Sequence, residues 1–301
     1  MPVNRIRVTH RTTYRYARPV TLLQHRLMVR PQDSHDLRLL AATLDIAPAP
    51  ASTRWAHDVF GNSICRLNWA EDETTDQLDI TSTLALQHFP SGSALPAATL
   101  DPGAETYPFS YASDEAPDVG RLRDRHLPDE ARLVDAWARR FLDTKGQTRT
   151  LDILAGMTRA IHDEFTYRAR EEEGTNAATV TLAMGVGTCR DFALLMMEAA
   201  RALGFAARFV TGYLYDAVGV ETQGGGTTHA WCSIYLPGAG WVEYDPTNGL
   251  IAGANLIRVA VTRTPEQAIP VGGGFVGGEN DSLGLEVDVS VEREQTEAEA
   301  C

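Results

Sequence analysis

The chain is poor in the features that mark several large functional classes. Its 301 residues hold four cysteines, Cys65, Cys189, Cys232 and Cys301, with no Cys-x2–4-Cys spacing. A disulfide framework or a structural zinc site is therefore disfavoured, and free thiols in a reducing cytoplasm are the plain expectation. No run approaches the roughly 18 apolar residues of a membrane span. The opening MPVNRIRVTHRTTYRYARPV lacks the apolar centre of an export signal. Positive charge is also scarce, 27 Lys and Arg against 40 Asp and Glu for a net −13, which argues against a nucleic-acid partner. There is no Asp-x-Asp-x-Asp-Gly calcium loop, and His162 beside Asp163 and Glu164 has no second histidine at i+4. No metal or other cofactor is expected. What remains is an ordinary folded composition, long enough for two domains.

The first third reads as strands. In RIRVTHRTTYRY, Ile6, Val8, His10, Thr12, Tyr14 and Tyr16 share one face, and QLDITSTLALQ repeats the period of two through Leu78, Ile80, Leu84 and Leu86. Between them HDVFGNSICRLNW carries a Gly61-Asn62 turn signal. Residues 1–92 are expected to form an antiparallel β domain of sandwich type. Residues 93–128, rich in Pro, Gly and acid, have linker composition, with Tyr107, Phe109 and Tyr111 lying against a surface. Helical patterns follow: Leu133, Val134, Trp137 and Phe141 on one stripe, then Leu151, Leu154, Thr158, Ile161 and Phe165 on another. The core is expected over 129–260, and 261–301 as a C-terminal segment with an acidic tail.

The stretch GVGTCRDFALLMMEAARALG sets one cysteine ahead of a helical run. Thr188 and Asp191 fit a capping box, Phe192, Leu195, Met196, Ala199 and Leu203 form the buried stripe, and Gly204 stops the helix. Cys189 then occupies the first helical position, where unpaired amides and the helix dipole favour an anion. A thiolate there is a nucleophile; the competing reading is a buried, inert cysteine.

A cysteine nucleophile needs a base, and the base needs an orienting group. His229 opens the strand-like HAWCSIY, and Asp245 closes the next strand in WVEYDPTNG. Alternation puts His229 and Trp231 on one face, with Cys232 buried on the other. A hairpin loop of even length would set Asp245 opposite Cys232, on the wrong side. An odd loop sets it opposite Trp231, diagonal to His229. The triad therefore requires an odd loop.

Three motifs in this order, Cys-Arg-Asp before a helix, His-Ala-Trp on a strand and Asp-Pro-Thr-Asn after the next, resemble the bacterial transglutaminase-like proteins of the papain-like cysteine-hydrolase superfamily. YRYARPVTLLQHRLMVRP and DVFGN are similar to that family's β-rich N-terminal region. The resemblance implies an α+β fold, an N-terminal antiparallel β domain followed by a core whose cysteine helix packs on an antiparallel sheet. It makes Cys189 the nucleophile, His229 the base and Asp245 the orienter. It implies partnership with peptide-bond-forming enzymes in some bacteria. One departure stands out: where the family often carries Asp-Tyr-Ala-Asp, this chain reads VTRTPEQAIPVGGGFVGG.

The expected activity is that of a cysteine-dependent amide-bond enzyme, a transglutaminase or a peptidase or amidase, working through a thioester on a peptide or protein substrate. The alternative is a binding or scaffold protein that keeps the fold without turnover. Tyr167 is a candidate second oxyanion donor, QGGGTT a candidate flap, REEEG a candidate attractor of cationic amines, and Trp231 and Trp241 candidate substrate walls. The flap has an equally plain reading as a connector; for Tyr167 and for one of the two tryptophans packing is the plainer reading, and for REEEG a solvated loop.

Overall fold

The computed structural model describes residues 4–89, 99–170, 174–215, 228–251, 253, 255–278 and 280–294. Strand β1 (Asn4–Leu22) alternates buried and outward positions from Asn4 to Thr12, as its sequence period requires. It pairs antiparallel with β6 (Thr75–His88), which pairs in turn with β3 (Leu37–Ala47). A smaller antiparallel sheet runs β2 (His25–Leu27), β5 (Ser63–Asn68), β4 (Ser52–His57). Tyr16, Val20, Leu78 and Ile80 of the large sheet meet Leu27, Cys65 and Leu67 of the small one in a shared apolar core. This is the sandwich, and it covers only half of the large sheet.

Next come β7 (Thr106–Tyr107), α1 (Ala116–Arg123), α2 (Leu133–Arg139), β8 (Thr148–Arg149), α3 (Thr150–Glu164), β9 (Thr166–Tyr167), α4 (Ala178–Met184), β10 (Val186–Gly187) and α5 (Cys189–Ala202). The chain then forms β11 (Ala207–Leu214), β12 (His229–Leu236), β13 (Gly240–Asp245), β14 (Leu250–Ile251) and β15 (Leu256–Thr262). These five make one antiparallel sheet in the order β14-β13-β12-β11-β15.

Helix α5 lies on β11 and β12 with α2, α3 and α4 around it. The expected stripe from Phe192 to Leu203 is buried, but so are Ala193, Leu194, Met197 and Ala200. A helix covered on every side is apolar all round, and one stripe underestimates it. Its buried charges are paired: Arg201 donates to Glu198 at 3.1 Å, and Arg125 reaches the same carboxylate at 2.8 Å. The helix ends in a Schellman motif, with Gly204 at φ +86° and the amides of Gly204 and Phe205 on the carbonyls of Arg201 and Ala200. In α2, Val134 and Trp137 are buried while Leu133, assigned to the same stripe, is exposed.

Two sequence expectations change. The described part of the 93–128 stretch is structured and packed: Leu100, Ala104, Tyr111 and Val119 are buried, and the Tyr111 hydroxyl donates to the Tyr235 carbonyl while accepting from the Ala206 amide. The chain after residue 260 is not a separate appendage. Strand β16 (Val271–Gly272) extends the small sheet beside β2, while β17 (Phe275–Val276) and β18 (Ser282–Glu294) pair with β1. β1 has two edges, and β6 satisfies only one; β18 supplies the other row of hydrogen bonds. The uncovered half of the large sheet packs on the core, with Ile6, Val8, Leu84 and Leu86 against Tyr213, Ile257 and Val259. The fold is α+β, an antiparallel β region leading into a core whose cysteine helix lies on an antiparallel sheet.

Candidate functional site

Three elements bring the site together: the N-terminus of α5, the start of β12 and the end of β13. Thr188 caps α5, its hydroxyl accepting from the Asp191 amide at 3.5 Å, while the Asp191 carboxylate accepts from the Thr188 amide at 2.9 Å. Cys189 is the first residue of the helix, 7% exposed. Asp191 does more than close the box. Fully buried, it also accepts from the Arg170 guanidinium at 2.9 and 3.2 Å and from the Asn176 amide at 2.7 Å. One carboxylate thus fixes the cap, the incoming loop and the helix start. Gly187 has the same neighbourhood: an added Cβ would meet Asp191 and Phe192 at 2.9 Å.

The β12–β13 hairpin pairs Leu236 with Gly240 across a three-residue loop and holds register through Cys232 opposite Tyr244. The loop is odd, and continuing the register sets Asp245 opposite Trp231. His229 Nε2 donates to Asp245 Oδ2 at 2.9 Å, with both side chains fully buried. Asp245 is oriented by its own turn, accepting from the Thr247 amide at 3.0 Å and from Asn248 Nδ2 at 2.9 Å. The Trp231 indole stacks on the imidazole, centroids 5.9 Å apart. Gly212, paired with His229, makes room for that indole.

Burial alone would push the His229 imidazolium down. The charge of Asp245, its hydrogen bond and the Cys189 sulfur together outweigh burial and raise the ring to about 10. Asp245 is held below the usual carboxylate range: burial opposes this, and the His229 charge with four hydrogen bonds overcomes it. His229 Nδ1 has no well-formed hydrogen bond. It is left to the Cys189 sulfur, which stands within electrostatic reach.

Tyr167, in β9 beside β10, packs on Phe192; burial, then the charge at Cys189, raises its hydroxyl to about 12. Trp241 is remote from the imidazole's stack, covered by Tyr235 and by the Arg208 guanidinium 4.0 Å from its ring centroid. Cys232 is fully buried against the Tyr244 carbonyl, and Cys65 lies in the first core. His162 lies exposed in the last turn of α3, bonded through Nδ1 to the Thr247 carbonyl. Among the described residues no group of three or more His, Cys, Asp or Glu could hold a metal ion. Most of QGGGTT, residues 171–173 of REEEG, and Cys301 lie outside the described residues.

Sequence reading gave no role to Asn176 or Gly212, and took Arg170 only as part of REEEG and Asn248 only as part of the Asp-Pro-Thr-Asn motif. Only Asn248 carried a local signal, since an Asp followed at i+3 by Asn can close its own turn. The others meet the site through contacts distant in the chain.

Residues 6–87 match the bacterial transglutaminase-like N-terminal region, and residues 135–246 match the transglutaminase-like superfamily. An uncharacterized Mycobacterium tuberculosis protein is 28% identical over 300 residues, 95% of this chain and 92% of the relative. An uncharacterized Mycobacterium leprae protein is 26% identical, covering 95% and 98% respectively. A crystal structure of a proposed cysteine protease from Cytophaga hutchinsonii superposes with a TM-score of 0.70, at 18% identity, over 99% of this chain and 93% of that one. At that identity the likeness concerns the fold.

Proposed function

The chain belongs to the transglutaminase-like superfamily, and from that premise we propose a cysteine-dependent enzyme acting on amide bonds through Cys189, His229 and Asp245. The observation that carries this reading is the buried His229–Asp245 pair at 2.9 Å, whose free ring nitrogen is left to a cysteine at a helix N-terminus. A structural histidine has no use for a partner that keeps it charged while its other nitrogen faces a thiol.

In this mechanism the helix end and the imidazolium favour the Cys189 thiolate. The sulfur attacks the carbonyl carbon of a carboxamide or peptide bond, and the oxygen takes up the electron pair. The Cys189 backbone amide holds that oxyanion, with Tyr167 as second donor, its hydroxyl still protonated at neutral pH. Collapse breaks the C–N bond, His229 gives its proton to the leaving amine, and a thioester remains on Cys189. The neutral imidazole then takes a proton from the second substrate as it attacks, and the thiolate leaves. Asp245 fixes the tautomer and stabilises the imidazolium throughout. Water as second substrate makes the enzyme a peptidase or amidase; a primary amine makes it a transglutaminase. The free thiols of Cys65, Cys189 and Cys232 fit a reducing, cytoplasmic setting.

The near-burial of Cys189 favours a second reading, a binding protein that keeps the fold without turnover. Iodoacetamide labelling between pH 5 and 9, resolved by cysteine, separates the two. The enzyme reading expects Cys189 to react fast below pH 7 and to slow at least about tenfold in His229→Ala. A Cys189 that stays inert, or is indifferent to His229, leaves the binder.

A further inference from the structure

The small sheet carries an arrangement that its own stability does not explain. Register sets Arg26 opposite Arg66, and Arg66 opposite Arg54, so three guanidinium side chains form one row across β2, β5 and β4. Like charges directly opposed destabilise a sheet. In a chain of net charge −13, none of the three forms an ion pair among the described residues, where acidic side chains pair with other arginines. Arg26 donates instead to the Gln267 carbonyl at 2.9 Å. Burial pushes its guanidinium down, and Arg66 adds to this against the charge of Asp58.

The flanking rows are closed. On one side Gln24, Asn68 and Ser52 bond to each other at 3.0 and 3.2 Å. On the other, Met28 and Ile64 are covered by Ala260 of β15. Where the arginine row meets the junction with the core lies an open cleft of about 440 Å³, lined by Arg26, His57, Phe60, Ile64, Arg66 and Gln267. Asp58, the acid at its edge, is already committed to the amides of Phe60 and Asn62 and to the Asn62 side chain. Val59 stands at the rim, 91% exposed.

We propose that this cleft, together with Arg54 beside it on β4, binds an extended acidic peptide segment, with its carboxylates on the Arg26–Arg66–Arg54 row and an apolar side chain against Val59 and Phe60. Guanidinium forks match carboxylates in bidentate geometry. With strands about 4.8 Å apart, the row spans about 10 Å, more than one small anion fills and close to the reach of alternate side chains on an extended peptide. The apolar floor suits a peptide better than a phosphate. The overall negative charge opposes long polyanions and anionic membranes.

The test uses the whole protein and two fluorescein-labelled hexapeptides, one alternating Glu with Val and one alternating Gln with Val, read by anisotropy at about 50 mM salt. The Glu peptide is expected to bind saturably and the Gln peptide not to. Arg66→Gln weakens binding about tenfold, and Arg54→Gln weakens it by a smaller factor. Unliganded Arg66→Gln melts at the same temperature as the parent or higher, because a repulsion is relieved. Equal binding of the two peptides overturns the proposal, as does binding indifferent to Arg66. Complete displacement by millimolar inorganic phosphate also overturns it, because the cleft is then a general anion site. A lowered melting temperature in Arg66→Gln shows that the row is structural, and the proposal fails.

Discussion

His229 and His10 are buried to nearly the same degree, 1% and 3% exposed, yet their imidazoles are driven in opposite directions. Burial pushes His10 down to about 4, and its partners, the hydroxyls of Tyr213 at 3.0 Å and Thr12 at 3.2 Å, carry no charge to resist it. His229 feels the same burial, but Asp245 and Cys189 lift it to about 10. One histidine is neutral mortar between the first β region and the core sheet; the other stands as a stored charge. The two rings lie on either side of strand β11, His10 bonded to Tyr213 and His229 paired with Gly212. Burial sets the cost of a charge, and the neighbour's charge decides whether it is met.

The largest expected effect comes from making the two alike. Asp245→Asn removes the charge that holds His229 up. The ring should then titrate below its ordinary 6.5, as His10 does, in an NMR pH series. Turnover should fall roughly 10⁴-fold, with Cys189 alkylation at pH 6 slowed in parallel. Gly212→Ala strikes the seat of Trp231 beside His229 and the neighbouring strand as well: its Cβ would lie 2.0 Å from the Ile257 carbonyl oxygen and 2.8 Å from the Trp231 indole. A loss of about 3 kcal/mol in urea unfolding is expected. Tyr213→Phe disturbs the His10 side alone, leaving a buried ring nitrogen without its partner. It should cost about 1–2 kcal/mol while the pH profile of Cys189 labelling stays unchanged.

The smallest effect sharpens the contrast through pH. His10 is depressed, so its contribution to stability is present above about 6.5 and is lost as pH falls toward about 4. His229 is raised, so its contribution is complete below about 6.5 and is lost as pH rises through about 10. Melting temperatures across pH should therefore flatten on the acid side in His10→Gln and on the alkaline side in His229→Gln. The same flattening in both variants would show that the two sites are not electrostatically distinct.

Much of the site is legible in the sequence because its signals are local. Thr188 and Asp191 are three residues apart, and a capping box is decided within one turn. Hairpin parity follows from a short loop, so Asp245 and His229 can be set on one face before any fold is known. Arg170 and Asn176 were invisible because their bonds to Asp191 depend on how a loop folds back on the helix. The return of β16–β18 was hidden for a similar reason. SLGLEVDVSVERE alternates as a strand does, but nothing in a strand's own sequence says which edge it will cover. The arginine row was missed because each member is an ordinary outward residue alone; only register makes them neighbours.

The pairing of β1 with β18 has a consequence for how the protein is made. Arg5 faces Glu294 across that seam, so a strand near the beginning of the described chain waits for one near its end. Until residues 282–294 have left the ribosome, β1 has β6 on one side and a long row of unpaired amides and carbonyls on the other, an adhesive edge on a tethered nascent chain. A message cut short before residue 282 would yield a protein holding Cys189, His229 and Asp245 and still exposing that edge. Such a product would differ from the full chain first in its stickiness.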